Sequence, residues 1–121
     1  MAMTTNDRQV GGTHYKKQKY QHWDFATDVS CNDFYLKGCA SKYVVRYRDK
    51  NGIEDLSKAV HYLDKIEERG CYSVIPFNHR MYLKLFAAQF EYPVRRVIWA
   101  IYTNRISRAR KLVQNLIMKE F

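Results

Sequence analysis

One stretch of the chain, residues 53–66, constrains the fold more than any other because its apolar residues return at intervals of three and four. These positions are Ile53, Leu56, Ala59, Val60, Leu63 and Ile66. Side chains at that spacing share one face of an α-helix, so the pattern predicts an amphipathic helix that buries one side. Gly70 follows the stripe and is a natural C-terminal cap, since glycine adopts the left-handed conformation without strain. We therefore expect an all-α fold in which other helices cover this face.

The segment before this helix predicts a helical hairpin. Residues 34–48 show the same apolar period, and a short connection leads from them into the helix just described. Asn51 and Glu54 have the spacing of a capping box at the start of that second helix. A short connection favours antiparallel neighbours. Small residues that would allow their close approach are Gly38, Ala40 and Ala59.

The period recurs in the second half of the chain, which gives a small bundle of about four to five helices in all. A third helix would run from a cap at Asn78 to Phe90, and Pro93 fits the first turn of a fourth. A fifth apolar stripe begins at Ile106 after a break near residues 103–104. A short helix or turn around residues 22–29 would seat Trp23 and Phe25 on the core.

The two halves resemble each other weakly. Leu56-Ser57-Lys58-Ala59 has a counterpart in Ile106-Ser107-Arg108-Ala109, and each follows an aromatic-rich amphipathic segment. This similarity suggests two duplicated helical hairpins. Any two amphipathic helices can be aligned about as well, and one continuous helix from Pro93 to Lys119 is also compatible with the pattern.

Composition and charge limit the class of protein. The 121 residues with 46% hydrophobic content suffice for one packed domain. Because residues 1–10 are polar and no run of about 18 apolar residues occurs, we expect a flexible N-terminal arm, no membrane span and no secretory signal. Three cysteines without a metal or redox spacing indicate free thiols in the cytoplasm. The net charge of +9 lies mainly in the basic helical half, residues 71–121, which favours phosphate-bearing partners.

The motif region, residues 11–70, carries five short motifs in order. They are Gly11-Gly12-Thr13-His14-Tyr15, Trp23-Asp24-Phe25, Gly38 with Lys42-Tyr43 and Arg46, Lys50-Asn51-Gly52, and Asp55-Leu56-x-Lys58-Ala59-x-x-Tyr62-Leu63. This series, over residues 11–66, resembles the nucleotide-kinase-like domain of tailed bacteriophages, which includes the early-gene nucleotide kinase of podoviruses. The resemblance implies phosphoryl transfer from ATP to a deoxynucleoside monophosphate with Mg²⁺, in the cytoplasm of the infected bacterial host. One departure is Cys39, where the family carries asparagine.

Phosphoryl transfer depends on positioning the phosphates and neutralising their charge. The sequence contains no Gly-x-x-x-x-Gly-Lys-Ser/Thr loop, so phosphate binding falls to basic side chains and helix N-terminal amides. Lys42 and Arg46 lie one helical turn apart, and the hairpin brings them near Asp55 and Lys58. We predict that the three cations hold phosphate, and that Asp55 binds magnesium or fixes a basic side chain.

The loop Gly11–Tyr15 is predicted to close over the nucleotide, with His14 donating to phosphate or shuttling a proton. Asp55 and His14 are thus the candidate catalytic residues. Structural roles are open for each: a turn-stabilising hydrogen bond for His14, and for Asp55 the favourable dipole at the first turn of a helix. Lys42 and Arg46 are equally compatible with ordinary solvated positions.

Two other functions are open. One is a non-catalytic phage accessory protein that binds nucleotides or a host protein, because few carboxylates are available to organise phosphates and a metal. The other is nucleic-acid binding through Arg95, Arg96, Arg105, Arg108, Arg110 and Lys111. It is less favoured, since these cations occupy more than one helix face and form no standard DNA-binding motif. A homo-oligomer is compatible with all of these functions.

Overall fold

The computed structural model describes residues 4–12, 18–30, 33–70 and 73–121. Within these residues it contains six α-helices and two short 3₁₀ turns, without strands, so the predicted all-α class is confirmed. The helices are α1 (His22–Ser30), α2 (Phe34–Arg46), α3 (Ile53–Arg69), α4 (Arg80–Ala87), α5 (Tyr92–Tyr102) and α6 (Ile106–Glu120), and the 3₁₀ turns are Thr5–Asp7 and Phe77–His79. The sequence predicts four to five helices, and the additional one is α1, for which the pattern allows either a helix or a turn.

Four helices form the core. α2 packs on α3, α3 on α6, α6 on α5 and α5 on α2, which closes a four-helix arrangement, while α1 adds to α2 and α4 to α5. The apolar stripe of α3 is buried as predicted, with Leu56, Leu63 and Ile66 fully inaccessible. Val97 of α5 and Val113 of α6 are buried to the same degree. Removing these faces from water is the main source of stability for such a bundle.

Several helix boundaries agree with the sequence. Gly70 caps α3 in the left-handed conformation (φ 64°), and Pro93 lies in the first turn of α5. The break between α5 and α6 is present, and Asn104 forms it with a positive φ of 63°. Asparagine tolerates this conformation better than most residues.

Other local predictions are wrong. Gly38 of α2 faces open space, since a Cβ added there would meet nothing within 4 Å, so this glycine is not needed for close helix approach. Phe25 is 61% exposed rather than seated on the core. Asn78 lies inside a 3₁₀ turn and does not cap α4, which starts after His79 and ends at Ala87.

Within the predicted flexible arm, residues 1–10, the structure places residues 4–8 against α1 and α3. The backbone N–H and hydroxyl of Thr5 both donate to Glu68, at 3.1 and 2.8 Å. Asn6 accepts hydrogen bonds from Trp23 at 2.7 Å and from Lys65 at 2.9 Å. Polarity alone predicts an arm, but these polar side chains find partners on helices as far as about sixty residues further along the chain.

Candidate functional site

The turn between α2 and α3 is organised by one buried carboxylate. Asp55 is fully buried, and it accepts hydrogen bonds from Arg46 at 3.1 and 3.3 Å and from the backbone N–H of Asn51 at 3.1 Å. The predicted capping box of Asn51 and Glu54 is absent, since Gly52 is the N-cap and the carboxylate of Asp55 bonds the Asn51 amide instead. Asp55 thus ties the end of α2 to the start of α3.

The protonation state of Asp55 follows from these contacts. Burial by itself raises the pKa of a carboxyl group, but the hydrogen bonds from Arg46 and Asn51 and the charges of Arg46 and Lys58 outweigh it and hold the pKa of Asp55 below its ordinary value of 3.8. Hydrogen bonding to Asp55 also raises the pKa of Arg46. Both partners are therefore ionised at neutral pH.

The three predicted phosphate-binding cations surround one aromatic ring. Lys42 Nζ, Arg46 Cζ and Lys58 Nζ lie 4.9, 4.7 and 5.4 Å from the ring centroid of Tyr43. Each distance suits a cation–π contact, which is worth about 0.5–1 kcal/mol at an exposed site. The structure thus brings together the three side chains that the sequence groups, and places Tyr43 at their centre.

A cleft opens beside Tyr43, between α1, α2, α3 and the N-terminal segment. Its volume is about 170 Å³. Aromatic rings supply much of its wall: Trp23, Tyr35, Tyr43, Tyr62 and the imidazoles of His22 and His61. Tyr43 and Tyr62 stack with their centroids 5.9 Å apart, and Trp23 meets Tyr62 edge-on at 5.4 Å. Lys58 also lines the cleft, so one cation of the cluster reaches it directly.

The N-terminal segment supplies the remaining wall, through residues 8–11. His61 anchors this segment, because its Nε2 lies 2.7 Å from the carbonyl oxygen of Thr5 and donates to it. Burial lowers the pKa of His61, so the imidazole is neutral at pH 7. Gly11 has a φ of +89°, and a Cβ there would come within 2.4 Å of Glu54. The positive φ therefore favours glycine here, whereas the contact with Glu54 involves the end of a flexible side chain that could move aside.

The other predicted site residues are only partly placed at the cleft. Gly11 lines the cleft, whereas Gly12 is exposed and does not. His14 and Tyr15 lie outside the described residues. Among the residues that the structure does describe, no group of three or more His, Cys, Asp or Glu side chains could hold a metal ion. With both oxygens of Asp55 engaged, the geometry corresponds to the second of its two predicted roles, which is to fix a basic side chain.

Sequence reasoning missed several residues of the site. Gln9, Gln21 and Tyr35 line the cleft, yet nothing in their local pattern marks them. His22 and His61 are scattered in sequence, and both reach the cleft. For the burial of Asp55, in contrast, the sequence does contain a signal. Asp55 lies four residues before Ala59, so it falls on the apolar stripe of α3 at a position that the helix buries.

Comparison with known proteins adds a family match but no function. Residues 11–64, which are 54 of the 121 residues, match the model of a family described only as a protein of unknown function, DUF3310. No curated protein and no solved structure matches the chain. The matched range covers α1, α2, most of α3 and the Gly11 end of the cleft wall. No helix in the described part of the chain is long and apolar enough to cross a membrane.

Proposed function

We propose that this protein binds a nucleoside phosphate, with the base in the aromatic cleft and the phosphate at Lys42, Arg46 and Lys58. The observation that carries the proposal is the shared position of Tyr43, whose ring forms part of the cleft wall and is also the centre of the cation cluster. A ligand that bears a planar ring and a negative charge close to each other matches both features. A nucleotide has this chemistry.

The size of the cleft supports a ligand whose ring system lies inside it and whose charged part lies outside. Pockets that enclose a whole drug-sized molecule are about 300–1,000 Å³, whereas this cleft holds about 170 Å³. That volume suits one ring system, so the charged part of the ligand would lie outside, where the cations are. Gln21 and His22 also line the cleft and add polar atoms to its wall.

The charge of the cluster supports a phosphate rather than a neutral group. Arg46 is neutralised by Asp55, and Lys58 lies 3.5 Å from Glu54, whose side chain is 43% exposed. Lys42 forms no ion pair among the described residues. Three cations against two carboxylates leave one positive charge, which a phosphate would compensate with charge-assisted hydrogen bonds.

Catalysis is the finer part of the proposal: transfer of a phosphoryl group from ATP to a deoxynucleoside monophosphate, as the phage resemblance implies. Mg²⁺ is usually held by one or two carboxylates together with the substrate phosphates. Since Asp55 is buried and engaged, the exposed carboxylate at the site is Glu54, beside Lys58 and Gly11. We assign the metal-binding role to Glu54 with the phosphates of bound ATP.

Binding without turnover is the second candidate, and the burial of Asp55 favours it. This carboxylate would be the natural catalytic group by sequence, yet both of its oxygens accept hydrogen bonds within the turn. In this case the protein would act as a nucleotide-binding accessory protein.

Thermal unfolding with and without ligand tests the binding proposal. A deoxynucleoside monophosphate at about a hundred times its dissociation constant should stabilise the protein by about 2.7 kcal/mol. The matching nucleoside and ribose 5-phosphate should each give a much smaller shift, because each lacks one half of the ligand. Lys58→Ala should abolish the shift, and Lys50→Ala, an exposed lysine in the same turn, should preserve it. Equal shifts for the nucleotide and the nucleoside would contradict the role of the cations.

An assay with ATP, Mg²⁺ and each deoxynucleoside monophosphate separates the two candidates. Formation of a diphosphate by the wild type but not by Glu54→Gln supports transfer. Binding of the nucleotide without any diphosphate rules out the kinase and supports the accessory role.

A further inference from the structure

A second groove lies away from the cleft, between α4, α5 and the start of α6. It has a volume of about 380 Å³, and its wall combines four cationic side chains with apolar surface: Lys84, Arg95, Arg96 and Arg105, with Trp99, Ala87 and Ala100. It shares no lining residue with the aromatic cleft. We propose that this groove is a binding site for single-stranded nucleic acid, independent of the nucleotide cleft.

The cations of the groove have no acidic partner. Lys84, Arg95, Arg96 and Arg105 form no ion pair within the described ranges, and the sequence has no Asp or Glu outside those ranges. The two carboxylates of the basic half are Glu91 and Glu120, and both bind Arg48, Glu91 at 2.5 Å. The positive potential of the groove is therefore uncompensated.

The positions of these arginines oppose what helix stability alone favours. The N-terminus of a helix carries a partial positive charge, which attracts carboxylates and repels cations. Arg95 and Arg96 nevertheless lie near the start of α5, and Arg105 is the N-cap residue of α6. Neither helix has an acidic residue in its first turn. Glu91, the N-cap residue of α5, is the acidic group at that end of the helix, and it is bound to Arg48. The arginines of the groove therefore retain a charge repulsion that a bound polyanion would relieve.

The arrangement differs from the one that the sequence predicts. The sequence groups Arg110 with the other cations, but Arg110 bonds Asp64 and Glu67 at 3.1 Å each and is neutralised. The structure instead adds Lys84 from α4 to Arg95, Arg96 and Arg105. Three cations of the predicted set thus share a groove with Lys84, and the other three, Arg108, Arg110 and Lys111, do not line it.

Trp99 favours a single strand over other polyanions. Sites for single-stranded DNA or RNA combine a cationic groove with aromatic side chains on which bases stack. Arginine suits this ligand better than lysine does, because its planar guanidinium binds phosphate through two hydrogen bonds and stacks on bases. The cations come from α4, α5 and the start of α6. A protein that reads the groove of a duplex usually inserts one helix carrying several contact residues, and no helix here has that arrangement. An acidic peptide could bind the cations, but it has no bases to stack on the tryptophan.

Fluorescence anisotropy with a labelled oligothymidylate of about 12 nucleotides, a length within known site sizes, tests the proposal. The double variant R95A/R96A should bind about tenfold more weakly near 0.1 M salt. Its plot of log affinity against log salt should be shallower by about 1.4, because each of the two phosphates that it no longer binds contributes about 0.7 to the slope. The control is K111A/K119A, which removes two exposed lysines of α6 outside the groove. It removes the same net charge and should bind as the wild type does.

Further variants distinguish base stacking from charge attraction, and a loss of binding from a loss of folding. Trp99→Phe should weaken binding several-fold and remove the quenching of tryptophan fluorescence by unlabelled oligothymidylate, while Trp23 keeps the remaining emission. Lys84→Ala, at an exposed position, provides a second groove variant if R95A/R96A does not fold. Lys58 belongs to the nucleotide cleft and not to the groove, so Lys58→Ala should leave oligonucleotide binding intact. The two proposals can therefore fail independently of each other.

Three outcomes would overturn the proposal. Equal weakening in R95A/R96A and K111A/K119A would show that binding follows net charge alone. Displacement by oligoglutamate as effective as by unlabelled oligothymidylate would assign the groove to acidic peptides. Tighter binding of a duplex of equal length, unaffected by Trp99→Phe, would exclude a single-strand site.

Discussion

The buried carboxylate at the α2–α3 turn gives a prediction that separates a structural role from a catalytic one. Replacing Asp55 with alanine removes the acceptor of the Asn51 amide, which costs about 1 kcal/mol. It also removes a carboxylate that accepts two charge-assisted hydrogen bonds. Because the guanidinium partner is one-third exposed and can be rehydrated, we count this second effect at about 1 kcal/mol. The free energy of unfolding should therefore fall by about 2 kcal/mol.

Urea denaturation followed by circular dichroism measures this change. With a slope of about 2 kcal/mol per molar urea, the midpoint of Asp55→Ala should be lower by about 1 M. Asp55→Asn keeps an acceptor for the Asn51 amide and should lower the midpoint about half as much. Asp49→Asn removes an exposed carboxylate in the same turn and should leave the midpoint within about 0.2 M of the wild type, since such surface changes are small.

The effect of Asp55 should also depend on pH. Because the pKa of Asp55 is lowered in the folded state, its contribution is complete above the ordinary value of 3.8 and is lost as the pH falls through the folded pKa. The difference in midpoint between the wild type and Asp55→Asn should thus be present at pH 7 and diminish as the pH falls below 3.8 towards the lowered pKa of the folded state. An unchanged midpoint in Asp55→Ala, together with complete loss of nucleotide binding or turnover, would refute the structural role and restore Asp55 as a metal or substrate ligand.

Two further pairs of substitutions test α2, α3 and the turn between them. Gly38→Ala should raise the free energy of unfolding by about 0.5–1 kcal/mol, because it removes a helix-interior glycine where a Cβ meets open space; Gly70→Ala has the same open space but a φ of +64° and should be destabilising. Thermal unfolding compares the two, and equal effects would contradict the conformational argument. Arg46→Ala should lower the urea midpoint because it leaves the carboxylate of Asp55 buried without its partner. Lys42→Ala, at an exposed position, loses only its cation–π contact with Tyr43, so it should lower the midpoint by no more than about 0.5 M and should chiefly weaken nucleotide binding.

The helices could be predicted because each carries its own local signal. The stripe of α3, its glycine cap and the proline at the start of α5 are encoded within a few turns of the chain. The predicted start of α4 is wrong because Asn78, the predicted N-cap, lies inside the 3₁₀ turn that precedes this helix.

The candidate site could be predicted in part. The sequence groups Lys42, Arg46 and Lys58 correctly, since a hairpin with a short connection determines which residues of its two helices are neighbours. The cleft could not be predicted, because one of its walls consists of residues 8–11, which are placed by contacts such as Thr5 with Glu68 across 63 positions. No local pattern encodes such a contact.

The closed packing of α2, α3, α5 and α6 means that the segment matched by the family model does not cover its own apolar faces. The matched segment ends within α3, yet the apolar faces of α2 and α3 are covered by α5 and α6, which lie outside it. In this chain the segment is therefore not self-contained, because without α5 and α6 the apolar faces of α2 and α3 would be exposed to water.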